Sequence, residues 1–136
     1  MTSSQLVCVD PGRVQEILPH VSHMLRSAID KVGVSDWNEI EGQILAGNAL
    51  VWIAWNGGSI QAAAATALNK IGRELICTII ACGGEDRNEW LPLITGIEAF
   101  AVNEGCEKTR IVGRKAWGRV LPDYREKCVV LEKVHR

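Results

Sequence analysis

Reactive side chains are sparse in this chain, so those that fall beside a chain breaker or beside one another deserve the first reading. Cys82 ends an apolar run and is followed by Gly83-Gly84-Glu85-Asp86-Arg87-Asn88. A cysteine at a strand end next to two glycines suggests a nucleophile. No histidine lies near it in sequence, and no Ser/His/Asp or Cys/His pattern accompanies it. It therefore reads as a small packed hydrophobe. The loop after it admits an anion: Gly83 and Gly84 would let backbone approach a ligand, and Arg87 would meet a phosphate. The following helix would add free N–H groups and partial positive charge. Glu85 and Asp86 place negative charge at the same point, and such acids also serve simply as helix N-terminal residues. His20 and His23 are three residues apart and share a helix side. No third ligand has a fitting spacing, which favours a solvated flank over a metal site. Arg110, Arg114, Lys115 and Arg119 put four cations within ten residues around Trp117, with no acid before Asp123. Such a cluster either grips phosphate groups or forms a solvated face.

The bulk properties narrow the classes that these residues can serve. A chain of 136 residues fits one domain, 1–136, and can bury a real core. The net charge of -1 argues against nucleic acid as the main partner. No apolar run has membrane-spanning length. Met1 to Asp10 lacks a basic region followed by a long apolar stretch, so it does not read as a secretory signal. Five cysteines, Cys8, Cys77, Cys82, Cys106 and Cys128, are odd in number and show no CxxC spacing. Neither a disulfide framework nor a zinc site is suggested, and a reducing cytosol is the expected compartment; a phage particle assembled there would look the same.

The elements that must position these residues follow from periodicity. Leu6 to Val9 is a short first strand, broken by Pro11 and Gly12. Val14, Ile17, Leu18, Val21, Met24, Leu25, Ala28 and Ile29 predict one helical face, ended by Gly33. Asp36 and Glu39 have capping-box spacing and open a second helix with Trp37, Ile40 and Ile44 inward. Ala49–Trp55, Ser59–Leu68 and Glu74–Cys82 predict a three-strand meander, turned at Asn56-Gly57-Gly58 and around Gly72. A helix over Asn88–Glu104 points Trp90, Ile94, Ile97 and Ala101 to one side and stops at Gly105. Thr109–Val112 is a strand, Lys115–Leu121 a short helix ended by Pro122, and Lys127–Val134 a final strand. The order is β-α-α-β-β-β-α-β-α-β, an α+β fold with a mixed sheet and helices on both faces. The crossover helix makes the strands on either side of it parallel. Trp52 and Trp55 fall on opposite faces of one strand, so a surface tryptophan is one prospect there.

This order resembles the GNAT (Gcn5-related N-acetyltransferase) superfamily over nearly the whole chain. Gly105-Cys106-Glu107-Lys108-Thr109-Arg110-Ile111-Val112 looks like that family's passage from helix end to fifth strand. Gly113-Arg114-Lys115-Ala116-Trp117-Gly118-Arg119-Val120-Leu121 looks like small GNAT-like proteins encoded by phages and prophages. The resemblance implies an acyl-CoA groove where the fourth and fifth strands part. Carried onto this chain, pantetheine would pair with Ile79, Ile80, Ala81 and Cys82. The pyrophosphate would meet Gly83, Gly84, Arg87 and Asn88, with Arg114, Lys115 and Arg119 as further anion or partner contacts.

Three departures separate the chain from the family pattern. The Arg/Gln-x-x-Gly-x-Gly/Ala phosphate loop is incomplete. The position of the family's acidic tyrosine falls near Val120, and Tyr124, after Pro122, lies nearer a packing position. One strand, not two, follows the short helix. Glu74, Thr78, His20 and His23 remain as candidate bases for deprotonating an amine. Two functions follow as expectations: an acetyl-CoA-dependent N-acetyltransferase with a degenerate cofactor loop, or a noncatalytic GNAT-fold protein that binds a virion component or host protein. A nucleic-acid module is the weaker third. The acceptor amine or protein partner stays open, as does whether the sheet is completed within one chain or in a homodimer.

Overall fold

The computed structural model describes residues 5–84, 87–113 and 117–135, with the backbone alone at 87–90. Strand β1 (Gln5–Cys8) leads through a 3-10 turn at Pro11–Arg13 into α1 (Val14–Val32) and α2 (Trp37–Leu45). The meander β2 (Leu50–Trp55), β3 (Ile60–Ile71) and β4 (Glu74–Gly84) follows. Then come α3 (Arg87–Asn103), β5 (Lys108–Ile111) and the single turn α4 (Trp117–Val120). The sheet order is β1-β2-β3-β4-β5; β4 and β5 pair in parallel and the other neighbours antiparallel.

Helix α1 forms where the apolar spacing predicts it. Val14, Leu18, Val21, Leu25 and Ile29 are buried along one stripe, each worth about 1.5–3 kcal/mol of burial. Gly33, at φ 77°, ends the helix and donates its N–H to the Ile29 carbonyl. Trp37, Ile40 and Ile44 of α2 join the same core against Val51, Ile53, Ala63 and Ala65. The capping box expected at Asp36 and Glu39 is not formed, since Asp36 makes no side-chain cap bond. Helix α3 covers the opposite face, where Leu93, Ile94, Ile97 and Ala101 pack on Trp52, Ala62, Ala64, Cys77 and Ile79.

The alanines of β3 are the ones that strand propensity disfavours. Ala62, Ala63, Ala64 and Ala65 are each fully buried. They lie in the central strand, two facing α1 and two facing α3. Tertiary position overrides propensity here: small side chains let helices approach both faces of the sheet. Trp52 and Trp55 do take opposite faces, Trp52 fully in the α3 core and Trp55 partly buried against the α1 core. The Trp52 indole N–H donates to Thr66 Oγ1 at 3.0 Å, and its ring sits 5.1 Å from that of Phe100. The turn at Asn56 is an Asx turn, its Oδ1 accepting from the N–H groups of Gly58 and Ser59.

The expected final strand over Lys127–Val134 is absent. Residues 121–135 form neither helix nor strand, and Leu131 is 89% exposed. The physical reason is position. The β4–β5 ladder is four residues long, Ile76↔Lys108 to Ile79↔Ile111. Lys127 already lies close enough to Glu74, at the start of β4, for its charge to act on that carboxylate. Among the described residues nothing pairs with β5 on its outer side, so the strand-like composition of this segment is not used in the sheet.

Candidate functional site

The site is built from one irregular strand. β4 pairs regularly with β3 from Ile71↔Glu74 to Thr66↔Ile79, then resumes at Ala65↔Ala81. Ile80 is the extra residue of a β-bulge. The insertion changes which face the following side chains take: Ile80 and Ala81 both turn to the α1 core, and Cys82 turns to the α3 core. On the other side of β4, the parallel ladder to β5 ends at the same level. Its last bond runs from the Val112 N–H to the Ile79 carbonyl at 3.0 Å. Past Ile79, β4 runs on to Gly84 with no partner on its β5 side among the described residues. Helix α3 begins three residues beyond Gly84. A parted pair of parallel strands therefore opens toward a helix N-terminus, with an unpaired strand edge as one wall. Such an edge offers N–H and C=O groups to an extended, amide-bearing ligand.

Ile80, Ala81, Cys82, Gly83 and Gly84 all lie on this unpaired stretch. Arg87 and Asn88 open α3, and their side chains lie outside the described residues, as do Glu85 and Asp86 entirely. The two glycines have a packing role that their sequence context does not suggest. A Cβ on Gly83 would stand 2.8 Å from the backbone carbonyl oxygen of Met24 in α1. One on Gly84 would stand 2.7 Å from the Gln61 carbonyl oxygen. Neither residue has a left-handed φ. Their missing side chains are required by the packing of α1 and β3 against the strand end, which fixes the wall of the opening.

Cys82 is half-buried against the α3 core. Burial pushes its thiol up to about 12, so the thiolate is scarce at neutral pH. Burial likewise raises Cys77, to about 11.

The candidate bases do not gather at the opening. Glu74 sits at the far end of β4, where its carboxylate accepts from Lys108 Nζ at 2.8 Å. That bond holds its pKa below the usual carboxylate range, helped by the charges of Lys108, Arg110 and Lys127. A carboxylate so stabilised is a weakened base. His20 and His23 are exposed on α1, and no group of three metal-ligating side chains occurs among the described residues. Thr78 is half-buried beside Arg110 in the register. The basic cluster is split: Arg110 belongs to β5 and acts on Glu74, an acid distant in sequence, whereas Arg119 is exposed on α4. Arg114 and Lys115 lie outside the described residues.

One polar pair has no signature in the sequence. The Tyr124 hydroxyl donates to Glu98 Oε2 of α3 at 2.6 Å. Burial, and next the bond to Glu98, push its pKa well above the usual phenol value. The two residues are 26 apart, and only the folded path from α4 past α3 brings them together. Tyr124 pins the chain after α4 to α3.

Solved structures share this arrangement of strands. An aminoglycoside acetyltransferase from an uncultured soil metagenomic sample, solved with sisomicin, superposes with a TM-score of 0.70 at 12% identity, covering 98% of this chain and 97% of that one. The chain has the GNAT acetyltransferase fold. A GNAT family acetyltransferase of Staphylococcus aureus gives 0.67 at 10% identity, over 98% and 99% of the two chains. A predicted acetyltransferase of Clostridium acetobutylicum, solved with acetyl-CoA, gives 0.67 at 15% identity, over 96% of each. No family model and no curated protein matches the sequence. Among the described residues no helix is long and apolar enough to cross a membrane.

Proposed function

We propose that this chain is an N-acetyltransferase that takes acetyl-CoA in the opening between β4 and β5. The carrying observation is the unpaired backbone of β4 beyond Ile79, set by the bulge at Ile80 and directed at the start of α3. The opening suits the cofactor's shape. Pantetheine is an extended amide chain, and the free edge from Ile80 to Cys82 presents the complementary groups. The N–H groups at the start of α3, with Arg87 and Asn88, would receive the pyrophosphate. When bound, the cofactor supplies an acyl group activated as a thioester. The chain's own contribution is position: α1 packed on Gly83 fixes the wall of the opening, and the raised pKa of the half-buried Cys82 thiol disfavours its thiolate.

Binding without turnover is the second reading, and two observations favour it. Glu74 is ion-paired at the distant end of β4, and the Tyr124 hydroxyl is held by Glu98. On that reading the chain is a GNAT-fold binding protein of the small phage-encoded type, which Gly113–Leu121 resembles. Calorimetry with acetyl-CoA tests the first reading, with Arg87→Glu as the control. Micromolar binding, weakened in the variant, supports a cofactor groove. No heat at millimolar cofactor removes it and leaves the binding protein.

A further inference from the structure

Helices α1 and α2 leave a crevice between them. Its volume is about 250 Å³, and it is lined by Gln15, Leu18, Pro19 and Ser22 of α1 and by Glu41 and Leu45 of α2. The α1 residues follow the spacing of one helix face, and the two of α2 are one turn apart. The crevice is separate from the opening at β4. Gly83 lies against Met24 and Ala28 of α1, whereas Gln15, Pro19 and Ser22 stand roughly 120–180° around the helix from Ala28.

The polar groups of the crevice lack partners. Glu41 is half-buried, and its carboxylate makes no hydrogen bond or ion pair among the described residues. Arg13, just before α1, and Arg26, within it, pair with Glu16 and Asp30 instead. The Ser22 hydroxyl is half-buried and likewise has no partner among the described residues. Pro19 frees a third acceptor. It lies inside α1 and has no N–H, so the Gln15 carbonyl four residues before it loses its helical donor. The apolar floor is Leu18, only 5% exposed, and the lip is Leu45, 47% exposed. Among the described residues no cationic side chain lines the crevice.

We propose that this crevice binds a small primary ammonium ion, with Glu41 as its counter-ion. An ammonium group carries three N–H donors. The crevice offers them the Glu41 carboxylate, the Ser22 hydroxyl oxygen and the freed Gln15 carbonyl. The apolar part of the ligand lies on Leu18, Pro19 and Leu45. Volume sets its size: the crevice is smaller than the roughly 300–1,000 Å³ of sites for drug-sized molecules, so the ligand carries one short apolar group. An anion is repelled by Glu41. A neutral molecule would cover that carboxylate without pairing it, which is costly. The site is independent of acetyl-CoA.

The test titrates the full chain with n-butylammonium chloride and follows amide chemical shifts, with sodium chloride holding the ionic strength constant. Saturable shifts are expected at Gln15, Ser22, Glu41 and Leu45, with a dissociation constant in the millimolar range that so few atoms allow. Sodium butyrate and n-butanol, which lack the ammonium group, should bind there at least about tenfold more weakly. Glu41→Gln should weaken n-butylammonium by about tenfold. Pro19→Ala returns a donor to the Gln15 carbonyl and should weaken it by about threefold. Both side chains lie at the surface, so circular dichroism should be unchanged. Absence of saturable shifts at these amides overturns the proposal, as does equal binding of n-butanol or an affinity that either variant leaves intact. Shifts centred on Ile80 to Gly84 instead would place the ammonium group at the β4 opening and would also overturn it.

Discussion

Gly83→Ala separates two roles that a glycine beside a ligand groove can have. The added methyl would stand 2.8 Å from the Met24 carbonyl oxygen, and that atom is backbone of a long helix, not the end of a flexible side chain. Relief requires α1 to move away from β4. Overpacking of this kind costs about 1–3 kcal/mol. Restricting the unfolded chain returns about 0.4–1 kcal/mol, because the native φ is one alanine tolerates. A net loss of up to about 2.5 kcal/mol remains, at roughly 3–5 °C in Tm per kcal/mol for a chain of this length. Gly42→Ala is the matched control. Gly42 is inside α2 with nothing within 4 Å of its Cβ position, and the exchange should stabilise by about 0.5–1 kcal/mol. Calorimetric melting of the protein without ligand reads both. If Gly83→Ala melts with the wild type while losing acetyl-CoA binding, the glycine serves ligand approach and the packing argument is wrong.

Other expectations follow from named contacts. Thr66→Val leaves the buried indole N–H of Trp52 without its 3.0 Å acceptor and should cost about 1–3 kcal/mol in urea unfolding. Tyr124→Phe removes a hydrogen bond to a part-buried carboxylate and should lower stability by about 1 kcal/mol. If activity is found, that variant should keep its kcat once folded, and a large loss of kcat at unchanged Tm would assign Tyr124 a proton-transfer role instead. Glu74 should titrate below the usual carboxylate range, and Lys108→Met should move it upward in a carboxyl NMR titration; an unmoved value would refute the ion pair. The sign is that of a lowered pKa: the stabilisation is present above the ordinary value of 4.5 and is lost as pH falls through the folded value. Cys77 and Cys82 behave oppositely. Their stabilisation is full below the ordinary thiol value of 9.0 and is lost as pH rises toward about 11 and about 12. In the folded protein both should resist a thiol reagent at neutral pH while exposed Cys128 reacts.

The strand and helix order was readable in the sequence wherever burial has a period. The α1 stripe from Val14 to Ile29, the turn at Asn56 and the Ile-rich β4 are each written in local residue types. Ala62–Ala65 were legible only weakly, because their placement answers to two helices distant in sequence. The segment Lys127–Val134 shows the converse: strand composition without a strand, since propensity does not supply a neighbour. The groove was partly legible. Ile80 to Gly84 could be placed at its edge by resemblance, but the bulge at Ile80 has no residue signature, being a matter of register between two strands. The packing role of Gly83 and Gly84 was not legible, because sequence does not record that the Met24 carbonyl lies against one and β3 against the other. The Tyr124–Glu98 bond joins residues that no spacing rule connects.

On the proposed function, the free edge of β4 is where this chain receives acetyl-CoA. Amide chemical shifts during an acetyl-CoA titration test it residue by residue. Saturable shifts are expected, centred on Ile80, Ala81, Cys82, Gly83 and Gly84 and on the first turn of α3, with the far end of β4 around Glu74 unmoved. Shifts confined to any other face, or none at millimolar cofactor, would contradict it.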